Sequence, residues 1–148
     1  MIVKDMIILD KEYLTKKELL RAYSELAFAK NLVSSKEDFL TALWDREEVL
    51  PTSVGNNIAI PHCQSDTVLE PFVGMIRNDV LIEWDSQEKA NLIFIIAIPM
   101  QTSGQLHLQT LAKLSRKLMH QEFIETLLQS NIETSYEILK KTLEEDQQ

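Results

Sequence analysis

The stretch LIFIIAI, residues 92–98, is an unbroken run of apolar residues in a sequence that is otherwise mixed. A strand exposed on one face alternates apolar and polar residues, whereas an unbroken run of this length is typical of a strand buried on both faces. Such a strand needs helices on both sides of its sheet. The run therefore predicts an α/β fold with a central strand at residues 92–98.

Two helices are predicted before this run. Thr15, followed three residues later by a glutamate, is a capping box, and the apolar spacing behind it predicts a helix that ends near residues 31–34. Ser35 is the N-cap of a second helix that ends around residues 45–48. Arg46 is therefore expected near a helix C-terminus.

Three helices are predicted after the run. Thr102 with Gln105 is a further capping box that opens the first of them. Apolar spacing predicts two more, at residues 121–128 and 134–143. The last five residues, 144–148, are acidic and polar and are expected to fray.

The remaining strands are predicted from short apolar segments. Residues 6–9 and 57–60 are each expected to form a short strand. Residues 72–76 and 80–84 are expected to form two strands joined by a hairpin turn at residues 77–79.

These elements predict a single α/β domain over residues 1–148, with a mixed β-sheet flanked by helices on both faces. The sheet is expected to be mixed because a hairpin and a helix-crossover pattern coexist. No internal repeat or linker divides the chain.

Charge and composition exclude several classes of protein. The net charge of −8 argues against nucleic acid, since affinity for nucleic acid comes largely from Lys and Arg. The longest apolar run, residues 92–100, is far shorter than the roughly 20 residues of a membrane span. The N-terminus has no signal-peptide core, and Cys63 is the only cysteine, so no internal disulfide can form. We expect a cytoplasmic protein that is not inserted in a membrane.

His62 is the first candidate for chemistry. It follows Pro61 directly, at the expected exit of a strand, and strand ends are where α/β proteins carry their sites. Imidazole is largely neutral at pH 7 and can act as a nucleophile. The alternative is a polar side chain that only bonds a backbone carbonyl, and position alone does not exclude it.

Two further residues could assist His62. His107 lies on the apolar stripe of its helix near the N-terminus, where a positive charge is disfavoured, so its ring is expected to be neutral. The planar guanidinium of Arg46 matches phosphate oxygens. The alternatives are a core histidine bonded to a carbonyl and an arginine that stabilises a helix end. His120 is expected to be a solvated surface residue.

The segment that ends in Pro61-His62-Cys63 resembles the active-histidine signature of IIA domains from the fructose/mannitol class of bacterial sugar phosphotransferase systems. That signature has an acidic or amide residue, six of any kind, an aliphatic and a small residue, and two of any kind. It ends in aliphatic-Ala-aliphatic-Pro-His and a small residue. Nine residues of this chain fill its fixed places: Glu47, Val54, Gly55, Ile58, Ala59, Ile60, Pro61, His62 and Cys63.

A second resemblance lies downstream. The family has a buried strand, a short turn and a helix that begins His-Leu-x-x-Leu-x-x-Leu. Residues 92–98 and the sequence HLQTLAKL at residues 107–114 fit this order. The resemblance covers nearly the whole chain.

The family resemblance implies a single mixed-sheet α/β domain and a phosphohistidine intermediate. The implied activity is that of a protein-N(pi)-phosphohistidine–sugar phosphotransferase component. A phosphorylated carrier protein would donate its phosphoryl group to His62, which would pass it to a cysteine of the IIB component. The membrane IIC component would then move the sugar, so its contact with this chain is indirect.

The same resemblance matches His107 to the family's assisting histidine and Arg46 to an arginine just upstream of the signature. Phosphoryl transfer needs a positioned nucleophile and donors for the phosphoryl oxygens, so these two side chains are expected to hold those oxygens or to fix the His62 ring. No metal or nucleotide is required, and the sequence has no phosphate-binding glycine loop. We therefore expect no cofactor.

Two positions near His62 depart from the commonest family pattern. Asn56 stands where some relatives have an acidic residue, and it can bond a neighbour of the site but cannot act as a base. Cys63 stands where glycine is commoner, which resembles galactitol-like members. Cys63 as a nucleophile is a poorer hypothesis, because neighbours on an extended chain point to opposite faces. A metal site of His62, His107 and Cys63 lacks a supporting carboxylate.

Three functions remain open. The first is a transport phosphotransferase component. The second is a IIA-like regulatory module that is phosphorylated at His62 and controls a transcription regulator. The third is a binding domain with an inert site, which the joint presence of Arg46, His62 and His107 disfavours.

Overall fold

The computed structural model describes residues 1–144. Its elements, in chain order, are β1 Ile2–Lys11, α1 Lys16–Ala29, α2 Lys36–Val49, β2 Ser53–Gly55, β3 Ile58–Ala59, β4 His62–Ser65, β5 Phe72–Glu83, β6 Lys89–Pro99, α3 Gly104–Lys117, α4 Gln121–Gln129 and α5 Ile132–Glu144. Of the segment expected to fray, only Glu144 is described, as the last residue of α5, and residues 145–148 lie outside the described part.

The strands form one mixed sheet in the order β1-β5-β6-β3-β2, with β4 also paired to β6. β1 runs parallel to β5, and β3 and β4 run parallel to β6, whereas β5–β6 and β2–β3 are antiparallel pairs. The predicted α/β fold with a mixed sheet is therefore confirmed.

The apolar run occupies the centre of this sheet, as predicted. Ile93 and Ile95 of β6 belong to the core beneath α1 and α2, whereas Phe94 and Ile96 belong to the core beneath α3, α4 and α5. All four side chains are fully buried. Because both faces of β6 meet helices, every position of the run has to be apolar.

Two of the three predicted helix caps are confirmed at the named residue. The hydroxyl of Thr15 accepts from the N–H of Glu18, and that of Ser35 accepts from the N–H of Asp38. The third was assigned to the wrong neighbour, since the cap of α3 is Ser103, not Thr102. Both residues are hydroxyl amino acids, and their side chains alone do not distinguish them.

The predicted hairpin at residues 77–79 is wrong. β5 is one strand of 12 residues with an irregularity between Arg77 and Ile82. At this irregularity the buried side-chain amide of Asn78 donates to the carbonyls of Tyr13 and Val80 and accepts from the N–H of Tyr13. An asparagine that looks like a turn residue locally is thus bound to a segment 65 residues away.

The segment around Pro61 is a strand with a break. Ile58 of β3 lies level with Leu92, and His62 of β4 lies level with Ile96, so both strands follow β6 in one register. Ile60 and Pro61 belong to neither strand. His62 therefore starts a strand segment, where the sequence predicted the exit of one.

No helix within residues 1–144 is long and apolar enough to cross a membrane.

Candidate functional site

His62 lies against α3, on the same side of the sheet as that helix. Its side chain is buried, with 7% of the residue exposed. Nδ1 lies 2.7 Å from the carbonyl oxygen of Ile60. A carbonyl can only accept, so Nδ1 carries the hydrogen of this bond and the other ring nitrogen, Nε2, keeps its lone pair.

His107 meets His62 edge to face. It lies in the first turn of α3, and the two ring centroids are 5.0 Å apart with an angle of 74° between the ring planes. Nε2 of His107 is shielded from solvent and has no hydrogen-bond partner within the described residues. A buried polar atom without a partner is costly, so this nitrogen is available to a group that enters the site.

Both rings favour the neutral form. Burial lowers the pKa of His62, and the positive charge of Arg46 lowers it further, against the opposing effects of the Ile60 hydrogen bond and the charge of Glu47. Burial is also the main cause that lowers the pKa of His107, with smaller contributions from His62 and Arg46. Neutral imidazole is the nucleophilic form of the ring.

Arg46 lies on a helix of the other face of the sheet, near enough for its charge to act on both histidines. It lies in the last turn of α2, a helix that packs on the side opposite to α3 but also contacts β4. Among the described strands β4 pairs only with β6, so one edge of β4 is open to α2. Nη1 of Arg46 donates to the carbonyl of Leu50 at 2.7 Å, which holds the guanidinium at the end of its helix.

Cys63 lies on the opposite face from His62. It is buried in the core formed with α1 and α2, and burial raises the pKa of its thiol to about 12. A thiol of this kind is not a nucleophile near neutral pH. It also cannot join His62 and His107 around a metal ion, and no group of three or more suitable side chains occurs within residues 1–144.

Asn56 lies towards the C-terminal end of α3, away from His107, in a cavity that Ile60 also lines. It is exposed at the turn of the β2–β3 hairpin, where Asn56 and Asn57 both have positive φ, of 54° and 63°. It lines a cavity of about 320 Å³ with the C-terminal turn of α3, starting at Ser115. Ser115 is roughly 12 Å along the helix axis from His107, at 1.5 Å per residue.

Glu47 is the residue that sequence reasoning undervalued. Its side chain is only 1% exposed and forms an ion pair of 2.8 Å with Lys16. The sequence contained a signal, because Phe39, Leu43 and Glu47 recur every four residues and the first two are fully buried. A carboxylate on such a stripe needs buried partners.

Comparison with known proteins gives a family match and several curated relatives. Residues 1–142 match the family described as phosphoenolpyruvate-dependent sugar phosphotransferase system, EIIA 2. The fructose-specific EIIA component of Haloferax volcanii is 34% identical over 143 residues, which cover 95% of this chain and 92% of that protein. Three further curated relatives are longer, and the matched part makes up 16%, 18% and 15% of their lengths.

Two solved structures share the fold. The nitrogen regulatory protein IIA-Ntr from Neisseria meningitidis superposes with a TM-score of 0.85 at 28% identity, over 93% of this chain and 95% of that one. Enzyme IIAMTL, in its complex with phosphorylated enzyme IIBMTL from Escherichia coli, gives a TM-score of 0.78 at 24% identity, over 95% and 99% of the two chains. The signature around His62, the family match over residues 1–142 and this likeness of fold agree. The chain belongs to the EIIA 2 family of the phosphoenolpyruvate-dependent sugar phosphotransferase system and is a phosphoryl-transfer component of such a system.

Proposed function

We propose that the chain accepts a phosphoryl group on Nε2 of His62 from a phosphocarrier protein and passes it to a IIB component, which drives sugar uptake. One observation carries this proposal. The Nδ1–H of His62 is held by the Ile60 carbonyl at 2.7 Å, so the lone pair lies on Nε2, in a ring that meets His107 edge to face. The nucleophilic atom is thereby selected before any partner arrives.

The relay consists of two successive transfers, and each is a single displacement at phosphorus. Nε2 of His62 forms a bond to phosphorus while the bond from phosphorus to the donor's nitrogen breaks, and the donor keeps that electron pair. In the second half, the cysteine thiolate of the IIB component takes the phosphoryl group and Nε2 recovers its lone pair. No redox change or added reactant is involved.

His107 and Arg46 stabilise the charge on the phosphoryl oxygens. The unpartnered Nε2 of His107, when it carries the ring proton, donates to a phosphoryl oxygen. One N–H of Arg46 donates to the carbonyl of Leu50, and its other N–H groups are available as charged donors. Both act on oxygens that carry more charge during transfer than before it.

Exposed apolar side chains flank the site and suit partner proteins. Leu108 follows His107 and is 68% exposed, and Val49 and Leu50 follow Arg46 with 79% and 64% exposed. Apolar side chains around a reactive group are typical of transient protein interfaces. The solved complex of enzyme IIAMTL with phosphorylated enzyme IIBMTL supports a IIB component as the acceptor. The galactitol-like branch rests on Cys63 alone and stays a prediction.

The direct test follows labelled phosphate from phosphoenolpyruvate, through the general carrier protein and its kinase, to this chain. We expect one acid-labile, alkali-stable phosphoryl group per chain, with a phosphorus–nitrogen signal at Nε2 in NMR spectra. Addition of the IIB component should then remove the label. A chain that takes no label would contradict the relay. A chain that takes label but keeps it in the presence of IIB would favour the regulatory module.

His107→Gln is expected to slow phosphoryl uptake about 10²- to 10³-fold, the usual effect of the loss of one preorganised donor to a developing oxyanion. Glutamine keeps a polar side chain of similar size, so the fold should be retained. The measurement is the single-turnover rate with phosphorylated carrier in excess. His120→Gln is the matched control, because His120 is exposed and caps α4 without a side-chain bond. Equal rates for both variants would contradict a role for His107.

The pH dependence of His62 has a definite sign. Its pKa is lowered in the folded protein, so the ring stays neutral when the pH falls through the ordinary histidine value of about 6.5. We expect phosphoryl uptake to hold its plateau through pH 6.5 and to decline only at lower pH. NMR titration of the His62 ring separates this effect from titration of the carrier. A midpoint at or above 6.5 would contradict the prediction.

A further inference from the structure

Glu47 is the centre of a buried hydrogen-bond network next to the site. Its Oε1 accepts from Nζ of Lys16 at 2.8 Å, from the N–H of Thr52 at 3.1 Å and from Nε1 of Trp84 at 3.0 Å. Its Oε2 accepts from the hydroxyl of Thr52. One carboxylate therefore binds the α1 start, the β5 end and the segment that leads into β2, and it holds Thr52 through two separate bonds.

Lys16, the charged partner of Glu47, has further contacts of its own. Nζ of Lys16 lies 5.3 Å from the ring centroid of Trp44 and 4.8 Å from that of Trp84, and it also donates to the carbonyl of Trp84 at 3.1 Å. The ammonium group therefore has aromatic, carbonyl and carboxylate partners. Four hydrogen bonds therefore hold the Glu47 carboxylate, and one of them comes from this ammonium group.

Thr52 connects the network to the nucleophile. The carbonyl of Thr52 accepts from the N–H of Ile60 at 2.9 Å, and the carbonyl of Ile60 accepts from Nδ1–H of His62 at 2.7 Å. A continuous path of hydrogen bonds thus runs from the Glu47 carboxylate to the His62 ring.

The path matters because, within residues 1–144, no bond to β6 holds the Ile60 carbonyl itself. The nearest bond to β6 is from the N–H of Ile96 to the carbonyl of Pro61, at 3.1 Å. Ile60 lies in the break between β3 and β4, and Pro61 after it has no N–H. The two backbone groups of Ile60 bond to Thr52 and to the ring of His62. The position of the carbonyl that selects the ring tautomer therefore depends on Thr52 as well as on β6, and Thr52 is held by its two bonds to Glu47.

We propose that Glu47 is a positioning residue that acts through Thr52 and Ile60 to keep the proton of His62 on Nδ1 and the lone pair on Nε2. The proposal rests on the proposed function for its consequence in transfer. If the Ile60 carbonyl moves, the His62 ring is free to exchange between its two neutral tautomers. In one of them Nε2 carries the proton and cannot attack phosphorus.

The test measures the tautomer of His62 directly, from the nitrogen chemical shifts of its ring without any phosphoryl donor present. The first variant is Glu47→Ala. The second is the double variant Lys16→Met with Glu47→Met, which leaves no charge unpaired in the buried site and so guards against a failure to fold. We expect the His62 ring in both to lose its single Nδ1–H form and to sample both tautomers. Phosphoryl uptake should fall roughly 10- to 100-fold, by analogy with the loss of activity when the partner that orients a metal-binding histidine is removed.

Tyr23→Phe is the matched control. It removes a buried hydrogen bond, from the Tyr23 hydroxyl to the carbonyl of Met6 at 3.2 Å, that has no link to the path. We expect this variant to lose stability and to keep the wild-type tautomer of His62. If the folded double variant keeps Nδ1–H as wild type does, or if Tyr23→Phe shifts the tautomer equally, the positioning role of Glu47 is overturned. The tautomer result does not depend on phosphoryl uptake, so a wild-type chain that takes no label would refute the relay and leave this test valid.

Discussion

His62→Gln is expected to reduce phosphoryl uptake to background, a loss of at least about 10⁴-fold, the scale seen when a catalytic nucleophile is removed. Glutamine can still hydrogen-bond, but its amide nitrogen has no lone pair available for attack on phosphorus. Cys63 cannot substitute, since it lies on the opposite face of the sheet with its pKa raised to about 12. His107 cannot substitute either, if its role is to donate to the phosphoryl oxygens.

The measurement is the amount of label transferred from phosphorylated carrier after a long incubation, so that slow uptake is also detected. His120→Gln is again the control, since it removes one exposed histidine and leaves the site intact. The melting temperature of His62→Gln must be similar to that of the wild type, so that a loss of uptake is not caused by unfolding. Retention of acid-labile label on His62→Gln would mean that another residue is the acceptor, and His107→Gln combined with it would show whether that residue is His107.

Gly74→Ala is expected to destabilise the protein by about 3 kcal/mol, the upper end of the usual cost of overpacking a core. A Cβ at this position of β5 would lie 1.8 Å from the Tyr23 hydroxyl and 2.5 Å from the backbone oxygen of Met6. The Tyr23 hydroxyl donates a hydrogen bond to the Met6 oxygen in the buried core, so a shift of either atom alone would break that bond. To make room for the Cβ, both β1 and α1 would have to move away from β5.

The measurement is thermal or urea unfolding. For a chain of this size the melting temperature should fall by roughly 6 to 12 °C, at 2 to 4 °C per kcal/mol. Gly104→Ala is the matched control, because a Cβ there meets nothing within 4 Å, and its melting temperature should stay close to that of the wild type. Adding Tyr23→Phe to Gly74→Ala should recover part of the loss. Equal melting temperatures for the two alanine variants would contradict the close packing at Gly74.

Local patterns were sufficient for the central strand and for two helix starts. The apolar run of β6 has one stable solution, burial on both faces, because no alternation exists to leave one face in water. Thr15 and Ser35 cap their helices through bonds that span three residues, so their surroundings in sequence contain all the information needed.

The wrongly predicted hairpin shows a case in which local sequence patterns do not predict the structure. Asn78 has the chemistry of a turn residue, and a turn was therefore predicted. Its amide bonds the carbonyl of Val80 nearby, but it also bonds both backbone groups of Tyr13, which the chain brings near only when β1 and β5 pair. Two bonds to this distant segment outweigh a local preference that water can satisfy equally well.

By itself, the sequence determined the α/β class, the central strand and the identity of the candidate nucleophile, because each depends on residues that are close along the chain. Only the tertiary structure decided which residues share a site. His62 and His107 touch across a strand–helix interface, Asn56 lies at the far end of α3, and Glu47 reaches the His62 ring through Thr52 and Ile60. The physical reason is that a hydrogen bond depends on positions within a few tenths of an ångström, and those positions exist only after the whole sheet and its helices have packed.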